Sequence, residues 1–140
     1  MDMNGFKAVN DRYGHGAGDT LLKVTAQRFR DAMSPENFVA RFGGDEFAIL
    51  IPRRLSHEEA IAVREIIETT LIDKIDVGAA LVQMGVAAGF AIPLDEYESR
   101  ESILDRADHD MYDRKMFLKR NGLAVRSRTE ATLEIAAMDR

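Results

Sequence analysis

At 140 residues the chain is long enough for one domain, and its 46% hydrophobic and 31% charged residues suit a globular fold with a core rather than a disordered chain. A net charge of −5, from 19 Lys and Arg against 24 Asp and Glu, gives the surface as a whole no attraction for polyanions; nucleic acid is not an expected partner, and a phosphate ligand needs a local basic pocket. The lack of cysteine removes disulfides, thiolate metal sites and cysteine nucleophiles, and no apolar run approaches the roughly 18 residues that cross a bilayer, so no membrane contact is expected of this segment.

In chain order, Gly5, Gly14, Gly16 and Gly18 crowd the first segment, which reads as a loop. Asp19 then opens a run in which Leu21, Leu22, Val24, Thr25, Phe29 and Met33 follow helical spacing, predicting a helix of about four turns that ends before Pro35. Phe38 to Phe42 and Phe47 to Ile51 are β-type runs flanking Gly43-Gly44-Asp45-Glu46, which predicts a hairpin with an acidic turn. Ser56 and Glu59 form a capping box, continued by Ala60, Ile61, Val63, Ile66, Ile67 and Leu71 as an amphipathic helix. From Val77 to Ile92 the chain is apolar and broken by Gly78, Gly85 and Gly89, as one or two buried strands would be. Ser102 to Leu118 predicts a third helix with Ile103, Leu104, Ala107, Met111, Tyr112 and Lys115 on one side, Met111 and Tyr112 being core positions. Leu123-Ala124-Val125 reads as a last edge strand, and Thr129 to Arg140 as a short helix or a linker.

Two places set carboxylates beside residues that let a backbone approach a ligand: Asp2 with Gly5, and Gly43-Gly44 with Asp45 and Glu46. Hard cations such as Mg²⁺ share oxygen ligands between one or two carboxylates and substrate phosphates, and glycines admit the backbone conformations that cradle phosphate oxygens. The competing reading of Gly-Gly-Asp-Glu is a plain hairpin turn, although adjacent Asp45 and Glu46 repel each other there. Asn10 and Asp19 have the chemistry to read a guanine edge, or simply to end a turn and cap a helix. Lys7, Lys115 and Lys119 can meet phosphates, or be ordinary surface lysines. His15 is better suited to ordering its loop than to acting as a base.

In their order along the chain these residues resemble the GGDEF family of diguanylate cyclases. The stretch from Asp2 through Gly5-Phe6-Lys7 and Asn10-Asp11 to Gly14-His15-Gly16-Ala17-Gly18-Asp19 looks like the family's D-x-D-x-F-K-x-[IV]-N-D-x-x-G-H-x-x-G-D segment. Arg41-Phe42-Gly43-Gly44-Asp45-Glu46-Phe47 is similar to the signature loop. Val86-Ala87-Ala88-Gly89-Phe90-Ala91 resembles the S-I-G-I-A strand, and Ala107-Asp108 to Tyr112 with Lys115 the A-D-x-A-L-Y-x-A-K helix.

The resemblance implies an α+β, palm-like nucleotide-cyclase sheet flanked by helices, occupying residues 1–126, with 127–140 as a tail or linker. It implies condensation of two GTP molecules into cyclic di-GMP with release of two pyrophosphates, by two facing domains of a homodimer. Mg²⁺, or Mn²⁺ in its stead, would be held by the side chains of Asp2 and Asp45 and the carbonyl of Met3. Glu46 or Asp45 would assist deprotonation of the attacking hydroxyl. Asn10 and Asp19 would read guanine. Gly5, Phe6, Lys7, Lys115 and Lys119 would hold phosphates, Gly43 and Gly44 would admit their close approach, and Arg41 would face the transferring phosphate. The implied setting is cytoplasmic, downstream of a sensory or receiver domain, whether or not the parent protein is anchored in a membrane.

Asn4 stands where the family has its second Asp, and Lys119 where Arg is common. Ser34-Pro35-Glu36-Asn37 takes the place of the R-x-x-D product-binding motif. Only Met1 precedes Asp2, so the family's first helix and first strand are expected to be missing, leaving a gap or exposed edge in the sheet and Asp2 on a frayed terminus. The alternative function is a non-catalytic GTP-sensing or partner-docking module.

Overall fold

The computed structural model describes residues 1–123. Strand β1 (Asp2–Asn4) runs into Gly5, whose φ of 90° turns the chain directly into helix α1 (Phe6–Tyr13). Gly14, at φ 87°, separates α1 from α2 (His15–Ala32). The segment expected to be a loop is therefore helical on both sides of one joint, and α2 starts at His15 rather than at Asp19. Phe6, Val9 and Tyr13 recur at helical spacing and pack on the core, so the glycines mark the joints while the periodicity decides the rest.

The hairpin of β2 (Phe38–Gly43) and β3 (Glu46–Leu50) forms as expected. Helix α3 (His57–Thr69) starts at a complete capping box, with Glu59 N donating to Ser56 Oγ and Ser56 N donating to the Glu59 carboxylate. The apolar run from Val77 to Ile92 forms two short strands, as expected, and a further short strand lies just ahead of it. Strands β4 (Ile75–Asp76) and β5 (Leu81–Val82) pair as a separate hairpin turned at Gly78, and β6 (Gly85–Ala87) joins the main sheet. Helix α4 spans Arg100–Arg120 and ends in a Schellman motif: Gly122 takes φ 69°, Leu123 N donates to Leu118 O and Gly122 N to Lys119 O. The expected edge strand from Leu123 and the segment from Thr129 lie outside the described residues, apart from Leu123 itself.

The main sheet has the order β2-β3-β1-β6, with every pair antiparallel. The central place, where a gap was expected, is filled by the short β1: Asp2 lies opposite Glu46 on one side and Ala87 on the other. The ladder continues into Met1, whose amine donates to Phe47 O at 2.9 Å while Phe47 N donates to Met1 O at 3.1 Å. Asp2 is thus clamped between two strands rather than frayed, and burial pushes the pKa of the Met1 amine down.

One face of the sheet carries the core. Met3, Phe47 and Val86 meet Leu21, Leu22 and Phe29 of α2 and Ile67 of α3, with Phe29 edge-on to Phe47 at 5.4 Å. Each such side chain, fully buried, contributes roughly 1.5–3 kcal/mol. Helix α4 lies against the end of β6, where a Cβ on Gly89 would fall 2.2 Å from Met111 N and 2.3 Å from Ala107 O. That approach turns Ala107 and Met111 toward the sheet and swings Tyr112 away. Tyr112 is 61% exposed and Met111 only half-buried, so neither is the fully buried core residue expected; Leu118 is.

Candidate functional site

The acidic residues are brought together by strand register. Asp2 and Glu46 are direct cross-strand partners, so their side chains share a face of the sheet, and Met3 N donates to Asp45 O at 3.3 Å. Strand geometry puts the Met3 carbonyl on the same edge as its amide, facing the Gly44-Asp45 turn. The turn itself needs glycine at Gly44 (φ 51°), and Arg41 Nε ties it down by donating to Gly44 O at 2.9 Å. Arg41 is therefore engaged with its own hairpin. Asp45 is half-buried and Glu46 exposed.

Like charges directly across a ladder repel. Here α4 supplies a counter-charge: Lys115 Nζ donates to Asp2 Oδ2 at 2.5 Å, with the Asp2 side chain 20% and the Lys115 side chain 36% exposed. Asp2, Glu46 and Asp108 all lie close enough to the Met1 amine to favour its protonated form against the larger effect of burial. Among the described residues no three acidic, histidine or cysteine side chains converge as a closed metal cage. The carboxylates and the Met3 carbonyl at the end of β1 are hard oxygen donors, the ligand type that cations such as Mg²⁺ share with substrate phosphates.

The other half of the site is built by the two helices after β1. Helix α1 has no side-chain cap and no acidic residue in its first turn, so its first amides, beside Gly5, Phe6 and Lys7, are open to an anion. Asn10 lies on α1, one turn beyond Lys7, and packs against α2 at Gly18, where the lack of a side chain leaves room for its amide. A Cβ on Gly18 would sit 1.9 Å from Asn10 Oδ1. That contact sets the half-buried Asn10 amide beside the turn carrying the exposed Asp19. His15 is the exposed first residue of α2 rather than a loop-ordering group. Lys119 lies one turn past Lys115 on α4, exposed and outside the Asp2–Lys115 contact.

The sequence reading missed a ladder of ion pairs. Glu68 of α3, 2% exposed, takes the Arg114 guanidinium on both oxygens at 2.7–3.2 Å and also accepts from Ala88 N at 3.3 Å. One turn earlier, Arg64 pairs with Asp110, which also accepts from Phe90 N at 2.8 Å. Arg106 grips Glu98 and Ile92 O, and this, with Leu94 N and Ser102 Oγ, holds the Glu98 carboxyl down at about 2. The signal was present: Arg64 and Glu68 on one helix, and Arg106, Asp110 and Arg114 on another, recur every four residues with complementary signs.

Comparison with known proteins bears on this arrangement. The family profile described as "Diguanylate cyclase, GGDEF domain" matches residues 1–121. The bifunctional diguanylate cyclase/cyclic di-GMP phosphodiesterase MucR of Pseudomonas aeruginosa is 34% identical over 115 residues, 82% of this chain and 17% of MucR. Diguanylate cyclase A of Treponema denticola is 32% identical over 116 residues, 82% of this chain and 31% of that protein. The chain therefore spans less than a third of either relative. Among solved structures, the GGDEF domain of TpbB (YfiN) from Pseudomonas aeruginosa superposes with a TM-score of 0.76 at 34% identity, over 82% of this chain and 72% of that one. The GGDEF domain of DgcB from Caulobacter crescentus, solved with c-di-GMP, gives 0.72 at 30% identity, over 89% and 71%. With a profile match over nearly all the described residues and a shared fold at one-third identity, the chain belongs to the GGDEF domain family of diguanylate cyclases.

Proposed function

We propose that this domain condenses two GTP molecules into cyclic di-GMP, with release of two pyrophosphates. The observation that carries the reading is the register at the end of β1, which sets Asp2, Met3 and the Gly44-Asp45 turn side by side, next to a helix whose first amides are open. Asp2, Asp45 and the Met3 carbonyl are the groups to hold Mg²⁺ or Mn²⁺. Such an ion, when bound, offsets triphosphate charge. The amides after Gly5, with Lys7, Lys115 and Lys119, hold phosphates, and Gly43 and Gly44 keep side chains out of their way. Asn10 and Asp19 hydrogen-bond the guanine edge, so an adenine there would leave them unpaired. Asp45 or Glu46 takes the proton of the attacking 3′-hydroxyl, whose approach in line with the other nucleotide's α-phosphate is largely a matter of positioning.

One chain offers one such half-site. Since the product joins two nucleotides, each as donor and acceptor, the reaction calls for two copies facing each other. The names of the relatives, diguanylate cyclases among them, support the same reading. No described helix is long and apolar enough to cross a membrane. The proposed use of GTP places the domain in the cytoplasm, under an upstream sensory or receiver domain.

The test is incubation with GTP and Mg²⁺, chromatography of the products, and calorimetry with GTP and ATP. Cyclic di-GMP should form, should vanish in Asp45→Ala, and GTP should bind at least tenfold more tightly than ATP, about 1.4 kcal/mol. Tight GTP binding without product would leave a GTP-sensing module in place of the enzyme. Equal affinity for the two nucleotides would remove the guanine assignment.

A further inference from the structure

We propose that Glu68 is a positioning residue for the Asp2–Lys115 contact, acting through Arg114; this rests on the proposed function only in what the contact is for.

The contacts close into a ring. Asp2 pairs with Ala87 in the sheet; the next residue, Ala88, donates its amide to Glu68; Glu68 grips Arg114 on both oxygens; Arg114 precedes Lys115, and Lys115 returns to Asp2. The side-chain links run from 2.5 Å at Lys115 to 3.3 Å at Ala88, and the ring joins α3, α4 and the end of β6 around one carboxylate. Burial grades along it: the Glu68 side chain is 0% exposed, Arg114 13%, Asp2 20% and Lys115 36%. The fixed end lies inside the protein and the working end opens to solvent.

A buried ion pair is weak as a source of stability, because desolvation offsets much of its attraction, but it fixes geometry strongly. A two-point grip from carboxylate to guanidinium sets both the rotation and the axial position of the helix that carries the arginine. Shifting α4 by one residue would rotate its side chains by about 100° and carry Lys115 away from Asp2. The neighbouring Gly89 contact brings the α4 backbone close at Ala107 and Met111, but a glycine grips nothing, so the register is left to the side chains. Arg114 also stands where the family pattern resembled by this helix has alanine, which has no group to form the link.

The experiment uses the whole chain labelled with [ε-¹³C]lysine, with the Lys115 signal assigned through Lys115→Arg. In the wild type, Asp2→Asn should move the Lys115 signal. In the Glu68→Gln background, where the isosteric amide removes the two-point ionic anchor beside Lys115 while those of Asp110 and Arg106 stay, the same substitution should move it by less than half as much. Affinity for GTP with Mn²⁺ should fall about tenfold in Glu68→Gln, the scale of losing an outer partner of a binding group. Arg114→Lys, which keeps the charge without the fork, should fall between. If Glu68→Gln does not fold, Arg114→Lys decides alone. An undiminished response of Lys115 to Asp2→Asn, with only the melting temperature lowered, would overturn the proposal and leave the pair a structural bond. Should the wild type bind no GTP with Mn²⁺, the proposed function fails while the lysine signal still decides the positioning relation.

Discussion

Asn10 and Gly18 show how much one missing methyl group decides. A Cβ at Gly18 would overlap Asn10 Oδ1 at 1.9 Å, but that atom belongs to a side chain that can rotate, so Gly18→Ala should fold. It should lower the melting temperature by only a few degrees, about 1 kcal/mol, while displacing the amide proposed to read guanine. The GTP-over-ATP preference should therefore collapse with little loss of stability, measured by calorimetry beside a thermal melt. Glu98 gives a prediction in pH. Arg106, Leu94 N and Ser102 Oγ hold its pKa at about 2 against an unfolded value of about 4.3. The folded state thus prefers the ionised form, and the resulting stability is complete above the unfolded value and lost as pH falls toward 2. Melts from pH 6 to pH 2 should show a steeper decline in wild type than in Glu98→Gln. Equal slopes would mean that other carboxylates dominate acid unfolding.

At the scale of elements, the contact between Gly89 and α4 is unforgiving because it is backbone against backbone. Gly89→Ala would need Met111 N and Ala107 O to retreat from 2.2 and 2.3 Å, moving the helix as a whole. A loss of about 1–3 kcal/mol or more is expected in denaturant titration. Lys115 should leave Asp2 along with it. The elements that could be read from sequence were those whose signals are local: the β2–β3 hairpin around its glycines, and α3 with Ser56 and Glu59 at its start. Asp2, Asn10, Asp45 and Lys115 could be singled out as candidates because motif spacing carried them, and the fold brings Asp2 and Lys115 into contact. Helix α1 was not, since glycines at both ends hid a short period between them. The face of α4 was read only in part: Ala107, Met111 and Lys115 do turn inward, but Tyr112 does not, and the ionic contacts of Arg106, Asp110 and Arg114 went unseen because apolar periodicity has no term for them.

For the whole molecule, regulation depends on what a product-binding surface has to offer. Ser34 to Asn37 is a tight turn, with Asn37 N donating to Ser34 O at 2.9 Å, and no guanidinium stands among its side chains. Each missing charge-assisted contact to an anionic dinucleotide is worth on the order of 1.5–3 kcal/mol. Added cyclic di-GMP should therefore not inhibit through this turn; strong non-competitive inhibition that disappears on changing Ser34 to Asn37 would contradict this. Control would then have to reach the site by another route, and the first strand offers one. Met1 and Phe47 exchange both of their backbone hydrogen bonds, so the ladder is in register from the first residue. A segment joined in front of Met1 would meet Ala48 and then Ile49 in fixed alternation, and a slip of one residue would exchange its two faces. The first backbone joint after that entry is Gly5, beyond Asp2, Met3 and Asn4. A twist or pull applied upstream would thus travel down a stiff rod and arrive at the Asp2 carboxylate before any hinge could absorb it.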